Sequence, residues 1–133
     1  MFEPVLQSLP AFASFFLTAI ALLTAFLALY IRVTPYNELA LIRDGNTAAA
    51  ISLGGAALGF ALPLAVSVAV SHNLPAMLGW GGVAGVVQLA TYLAVRLALP
   101  GINQAIPQGQ VASGIVLAAF SLGVGVLNAG CIA

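Results

Sequence analysis

Hydrophobic residues in this chain come in long unbroken runs, with neither the alternation of a half-buried strand nor the stripe of a soluble helix. Four stretches, 11–31, 47–70, 75–99 and 111–132, are almost wholly apolar. Each matches the roughly 20 residues that a helix needs to cross a hydrocarbon core about 30 Å thick. Glu3, Arg32, Glu38, Arg43, Asp44 and Arg96 lie outside these runs or at their ends, which avoids a cost on the order of 3 kcal/mol for each charge at the bilayer centre. The pattern predicts an all-α polytopic membrane protein with four transmembrane helices.

Sidedness follows from the arginines. Arg32, Arg43 and Arg96 all fall in or beside the first and third connections, and there is no lysine. Basic residues collect on the cytoplasmic side, so both of those loops are expected inside. Both termini and the His72 connection are then expected outside, an N-out/C-out arrangement. The apolar start lacks a basic leading segment and is read as a retained first span, not a secretory leader.

Composition narrows the chemistry. At 62% hydrophobic and 5% charged, with mean hydropathy +1.16, the chain suits a lipid environment. Three arginines cannot form the basic face that a nucleic acid requires. The one cysteine, Cys131, allows no internal disulfide, and a single histidine with no acid inside any run offers no metal centre, cofactor site or catalytic pair. The expectation is a non-enzymatic protein without a cofactor, its partners being the bilayer, further copies of itself and a cytoplasmic or membrane protein.

Sliding the sequence against itself by 64 residues aligns Ile42, Gly45, Ala48, Ile51, Leu53, Leu58 and Gly59 with Ile106, Gly109, Ala112, Ile115, Leu117, Leu122 and Gly123, and Leu29 and Arg32 with Leu93 and Arg96. The chain therefore divides into two tandem two-helix repeats, 1–72 and 73–133. Two units with an even number of crossings each are parallel in the membrane, related by a pseudo-twofold axis along its normal.

In the first loop, Thr34-Pro35 reads as an N-cap and first residue of a short interfacial segment over 35–46, closed by Gly45. Leu39, Leu41 and Ile42 would dip into lipid while Glu38, Arg43 and Asp44 stay wet. The counterpart loop, 100–110, is uncharged and interrupted by Pro107. Asn37, Glu38, Arg43, Asp44, Gly45 and Asn46 are thus the candidate docking surface. Within the spans, Ser52, Gly55 and Gly59, then Gly81 and Gly85, then Ser121 and Gly125, recur at helical spacing as packing faces. Pro63 is expected to kink its helix or free a carbonyl. Tyr30, Tyr36, Trp80 and Tyr92 read as interface anchors or packing. Thr24, Gln88 and Asn128 are the intramembrane polar positions. Thr24 and Gln88 share a depth by the repeat and are expected to meet, either as an interhelical hydrogen bond or as the lining of an ion or small-solute path.

The block Asn37-Glu38-x-x-x-Ile42-Arg43-x-Gly45-Asn46-x-Ala48-Ala49-Ala50, with Gly59-Phe60-Ala61-Leu62-Pro63-Leu64, Gln88, Arg96 and Gly123 to Asn128, resembles the YjfL-like bacterial inner-membrane proteins, domain-of-unknown-function family 350. The resemblance implies four helices in two tandem units, an inner-membrane location, association with envelope-stress gene neighbourhoods and no settled activity. It carries over no catalytic residue. Two functions are expected from these readings. One is an oligomeric subunit or scaffold that docks a partner through its first cytoplasmic loop. The other is an oligomeric channel lined by Gln88, Thr24 and Asn128.

Overall fold

A computed structural model describes residues 2–133. They form α1 (Glu3–Val33), α2 (Glu38–Arg43), α3 (Thr47–Val70), α4 (Leu74–Ala98), α5 (Ile102–Ala105) and α6 (Val111–Ile132), with no strand among the described residues. Of these, α1, α3, α4 and α6 are long and apolar enough to cross a membrane.

Helix α1 begins at Glu3, not at position 11, and runs for 31 residues through Pro10. Hydroxyls along its first half donate to the helix's own carbonyls: Ser8 to Pro4 at 2.8 Å, Ser14 to Pro10 at 3.0 Å and Thr18 to Ser14 at 2.7 Å. These three hydroxyls need no partner from another helix. The helix stops because Pro35 disfavours helical backbone at the residue before it; Thr34 is extended, with φ −71° and ψ 140°. Thr34 therefore closes α1 and does not open α2, correcting the sequence expectation. The cap of α2 is Asn37, whose side-chain oxygen accepts from the Ala40 amide at 3.1 Å.

The centre of the bundle is the parallel pair α3 and α6. Ala48 meets Gly114, Gly55 meets Ala118, and Gly59 meets Ser121 and Gly125, so the register rises together along both helices. A Cβ on Gly114 would stand 2.5 Å from the Ala48 carbonyl oxygen, and one on Gly55 would stand 2.5 Å from the Ala118 Cα. Lipid tails are as apolar as leucine, so helices associate through such close backbone packing and not through a hydrophobic drive. Helix α4 packs on both members of the pair, whereas α1 joins through its second half. There Phe26 stacks on Phe60, centroids 4.5 Å apart, and Gly85 gives room to both rings. Gly81 does the same for Leu22. Residues 2–14 are exposed throughout, an outward face suited to lipid.

Each hairpin loop turns on a glycine in the left-handed region, Gly45 at φ +86° and Gly109 at φ +81°. Their amides donate to Ile42 and Ile106 at 3.0 and 2.9 Å, and the next amides, of Asn46 and Gln110, donate to Leu41 and Ala105 at 2.9 and 3.0 Å. A side chain would be strained at that φ, which explains glycine at both turns.

Candidate functional site

Tyr30, Thr34 and Glu38 are spaced four residues apart and converge where α1 hands over to α2. The sequence pattern leaves Glu38 wet; it is instead fully buried, at 0% exposure. The short α2 turns its first residue inward over the loop-end of the bundle, leaving Arg43 and Asp44 outside. The Thr34 hydroxyl lies 2.6 Å from Glu38 Oε1, the length of a charge-assisted O–H···O bond. Glu38 Oε2 has no partner, and neither do the buried hydroxyls of Tyr30 and Tyr36. Both phenols lie close enough to Glu38 to feel its charge. Tyr92 packs edge-on against Tyr30 at 5.5 Å and donates to Asn103 Oδ1 at 2.8 Å. Ser52 of α3 stands beside the Tyr36 hydroxyl.

The electrostatics follow from this burial. Removal from water pushes the Glu38 carboxyl up to about 7 against the opposing pull of the Thr34 hydrogen bond. Burial, and next the Glu38 charge, hold the Tyr36 phenol protonated well above its ordinary range. No arginine offsets the carboxyl, since Arg32, Arg43 and Arg96 are all exposed.

Gln88 is placed differently from its sequence expectation. Its side-chain amide donates to the carbonyls of Gly59 and Ser121, each at 3.0 Å, while Thr24 is exposed on α1. The expected meeting of Thr24 with Gln88 is therefore corrected. The physical reason is Pro63, which has no amide to give the carbonyl four residues earlier, that of Gly59. Gln88 supplies the missing donor, as a freed carbonyl in lipid requires. Asn128 lies on the Ser121 face of α6 about two turns further on, its side-chain nitrogen buried without a partner.

We expect Gln88→Leu to destabilise the bundle by about 1–2 kcal/mol and the loss to shrink in a Pro63→Ala background, where the restored backbone amide serves Gly59. A double-mutant cycle on unfolding in detergent measures this. Equal losses in both backgrounds would break the link.

The two loops form one layer. Asn46 accepts the Ala49 amide at 3.0 Å, capping α3, and donates to the carbonyls of Ile106 and Pro107 at 2.9 and 3.3 Å. A shallow cleft of about 440 Å³ lies between the loops, edged by Asp44, Asn46, Pro107 and Gln108. Asn37, Arg43, Asp44 and Gly45 are exposed on this layer, and Asn46 is half-buried. Of the small residues marked in the sequence, Ser52 and Ser121 are buried, Gly55, Gly59 and Gly125 line the α3–α6 seam, and Gly81 and Gly85 face α1 and α3. Gly114, at the same seam, escapes the sequence reading, although with Ala118 four residues on it forms a small-xxx-small pair. Among the described residues no three of His, Cys, Asp and Glu come together.

These features define a helical, multi-pass membrane protein with a buried carboxyl under its loop layer. The chain belongs to the family described as Domain of Unknown Function (DUF350), whose model matches residues 4–132. It is 35% identical over 127 residues to the UPF0719 inner membrane protein YjfL of Escherichia coli (strain K12), covering 96% of each chain. It is 31% identical over 114 residues to the UPF0719 transmembrane protein YshE of Bacillus subtilis (strain 168), covering 84% of this chain and 85% of that one. No solved structure matches it. With these relatives and its apolar spans, it is a multi-pass protein of the inner membrane.

Proposed function

We propose that the chain is a non-enzymatic membrane subunit made of two fused copies of one helical hairpin, which assembles with further copies of itself and docks a partner through its loop layer. The recurrence of the left-handed glycine turn and its pair of hydrogen bonds at a spacing of 64 residues supports duplication. Arg32, Arg43 and Arg96 all lie at the loop-bearing end, which supports a cytoplasmic position for that layer and an N-out/C-out chain. The observation that carries the docking reading is the Asn46 tie to Ile106 and Pro107. It makes the two loops a single rigid surface on which Asn37, Arg43, Asp44 and Gly45 are free to meet a partner. Glu38, being buried, is not part of that contact. The envelope-stress setting implied by the resemblance is where such a partner would act.

Photo-crosslinking residues placed at Asp44 and, as the opposite-face control, at His72 test this in intact cells. Adducts should form from position 44, vanish on Arg43→Glu, and be absent from position 72. Adducts from 72 alone, or adducts at 44 indifferent to Arg43→Glu, would reject the docking face.

A further inference from the structure

Glu38 is the one acid sealed inside the bundle among the described residues, and the loop layer has no use for it as a contact. Thr34 has a single hydroxyl proton and two acceptors in reach, Glu38 Oε1 at 2.6 Å and the Ile31 carbonyl at 3.0 Å. When the carboxyl is ionised, that proton goes to Oε1. When the carboxyl is protonated, Thr34 turns its proton to Ile31 and its oxygen accepts from Glu38. The same heavy-atom positions thus satisfy both states. The second oxygen, Oε2, is buried without a partner, as are the hydroxyls of Tyr30 and Tyr36. Both phenols feel the Glu38 charge but neither hydrogen-bonds to it, so the Thr34 hydroxyl alone serves the carboxyl. A purely structural glutamate would be locked by partners of fixed direction, whereas the one partner of this carboxyl works in either direction.

We propose that Glu38, with the Thr34 hydroxyl, is a binding site for one exchangeable proton, reached from the loop face past the half-buried Tyr36. The reaction is the bare equilibrium of carboxylate plus a proton from water giving carboxylic acid; no other bond changes. One carboxylate with only neutral hydroxyls is too poor a donor set for a divalent cation, which draws on several oxygens and commonly more than one carboxylate. The charged and titratable groups around Glu38 are few. From α1 and the connection come Tyr30, Tyr36 and the exposed Arg32, and from α4 come Tyr92 and, beyond it and exposed, Arg96. From α3 there is only Ser52, from α5 only Asn103, and on α2 and its turn the exposed Arg43 and Asp44. The Glu38 carboxyl held up to about 7 accords with exchange in the neutral range. Loading removes the one charge buried beneath the loop layer among the described residues, and this holds whatever partner the loops meet.

Infrared difference spectroscopy of the full chain in an ester-free detergent tests the site through the C=O stretch of a protonated carboxylic acid. The band should be strong near pH 5, fall to nothing by about pH 9, and be missing in Glu38→Gln. Should that variant fail to insert, labelling the wild-type chain with ¹³C-glutamate must move the band. A band absent at every pH, or one unchanged across the titration, would overturn the proposal. Loss of the band at fixed pH on replacing choline chloride by sodium chloride would also overturn it, making the site one for an alkali cation.

Discussion

Gly59→Val should leave too little of the assembled bundle to survive solubilisation, while Gly123→Val, 64 residues on, should melt within a few degrees of the unaltered protein. A Cβ at Gly59 runs into the carbonyl oxygen of Ser121, with the Ser121 carbonyl carbon at 2.8 Å and Gln88 Oε1 at 2.9 Å, whereas one at Gly123 meets nothing within 4 Å. Overpacking a core typically costs about 1–3 kcal/mol and occasionally more. The upper end applies here, because the obstacle is backbone and cannot change rotamer. Separating α3 from α6 would also pull the Gly59 carbonyl away from the Gln88 amide. Size-exclusion of heated, detergent-solubilised protein separates the two variants. Indistinguishable melting would mean that α3 and α6 do not meet at this register.

That contrast marks how far the sequence can be read. Hydropathy locates α3, α4 and α6 because an uninterrupted apolar run of bilayer length has few other uses. It misplaces the start of α1 because Pro10 looks like a boundary, yet the helix begins at Glu3 and carries Pro10 in its interior. The spacing of 64 residues correctly draws attention to Gly45 and Gly109, whose left-handed turns only glycine forms easily. It misleads for Gly59 and Gly123, and for Gln88 and Thr24, since aligned positions need not share surroundings. Gln88 answers Pro63, and the position 64 beyond Pro63 is Leu127, whose amide leaves Gly123 its ordinary helical partner. Thr24 consequently has no carbonyl to serve and faces outward. Glu38 reads as wet because an acid on a short interfacial helix usually is. The overlooked signal is the four-residue spacing Tyr30, Thr34, Glu38 across a proline break, which carries a hydroxyl ladder from the end of one helix to the start of the next.

The burial of that acid predicts an unusual pH dependence. The carboxyl is raised in the folded protein to about 7 from an ordinary 4.5, so the folded state holds a proton that the unfolded chain has given up. Where the folded state binds more protons, stability falls as pH rises. Glu38 therefore contributes its full stability below about pH 4.5, loses it progressively up to about pH 7, and leaves the protein weakest and flat above that. This is opposite to an acid in an ion pair, whose depressed value makes stability fall as pH is lowered. The span corresponds to about 3 kcal/mol, as an order of magnitude. Glu38→Gln keeps the size and the hydrogen-bonding edge while removing the charge. It should bring stability at pH 8 up towards the acid-side value of the unaltered protein and flatten the profile between about pH 5 and pH 8. Glu38→Ala, which empties the space beside Thr34 and leaves the Tyr30 and Tyr36 hydroxyls still without partners, should flatten the profile without that gain. Unfolding curves in detergent across this range decide the matter: a wild-type protein that grows more stable from about pH 5 to pH 8 would show that Glu38 is folded around as a carboxylate, with a positive charge or water reaching it.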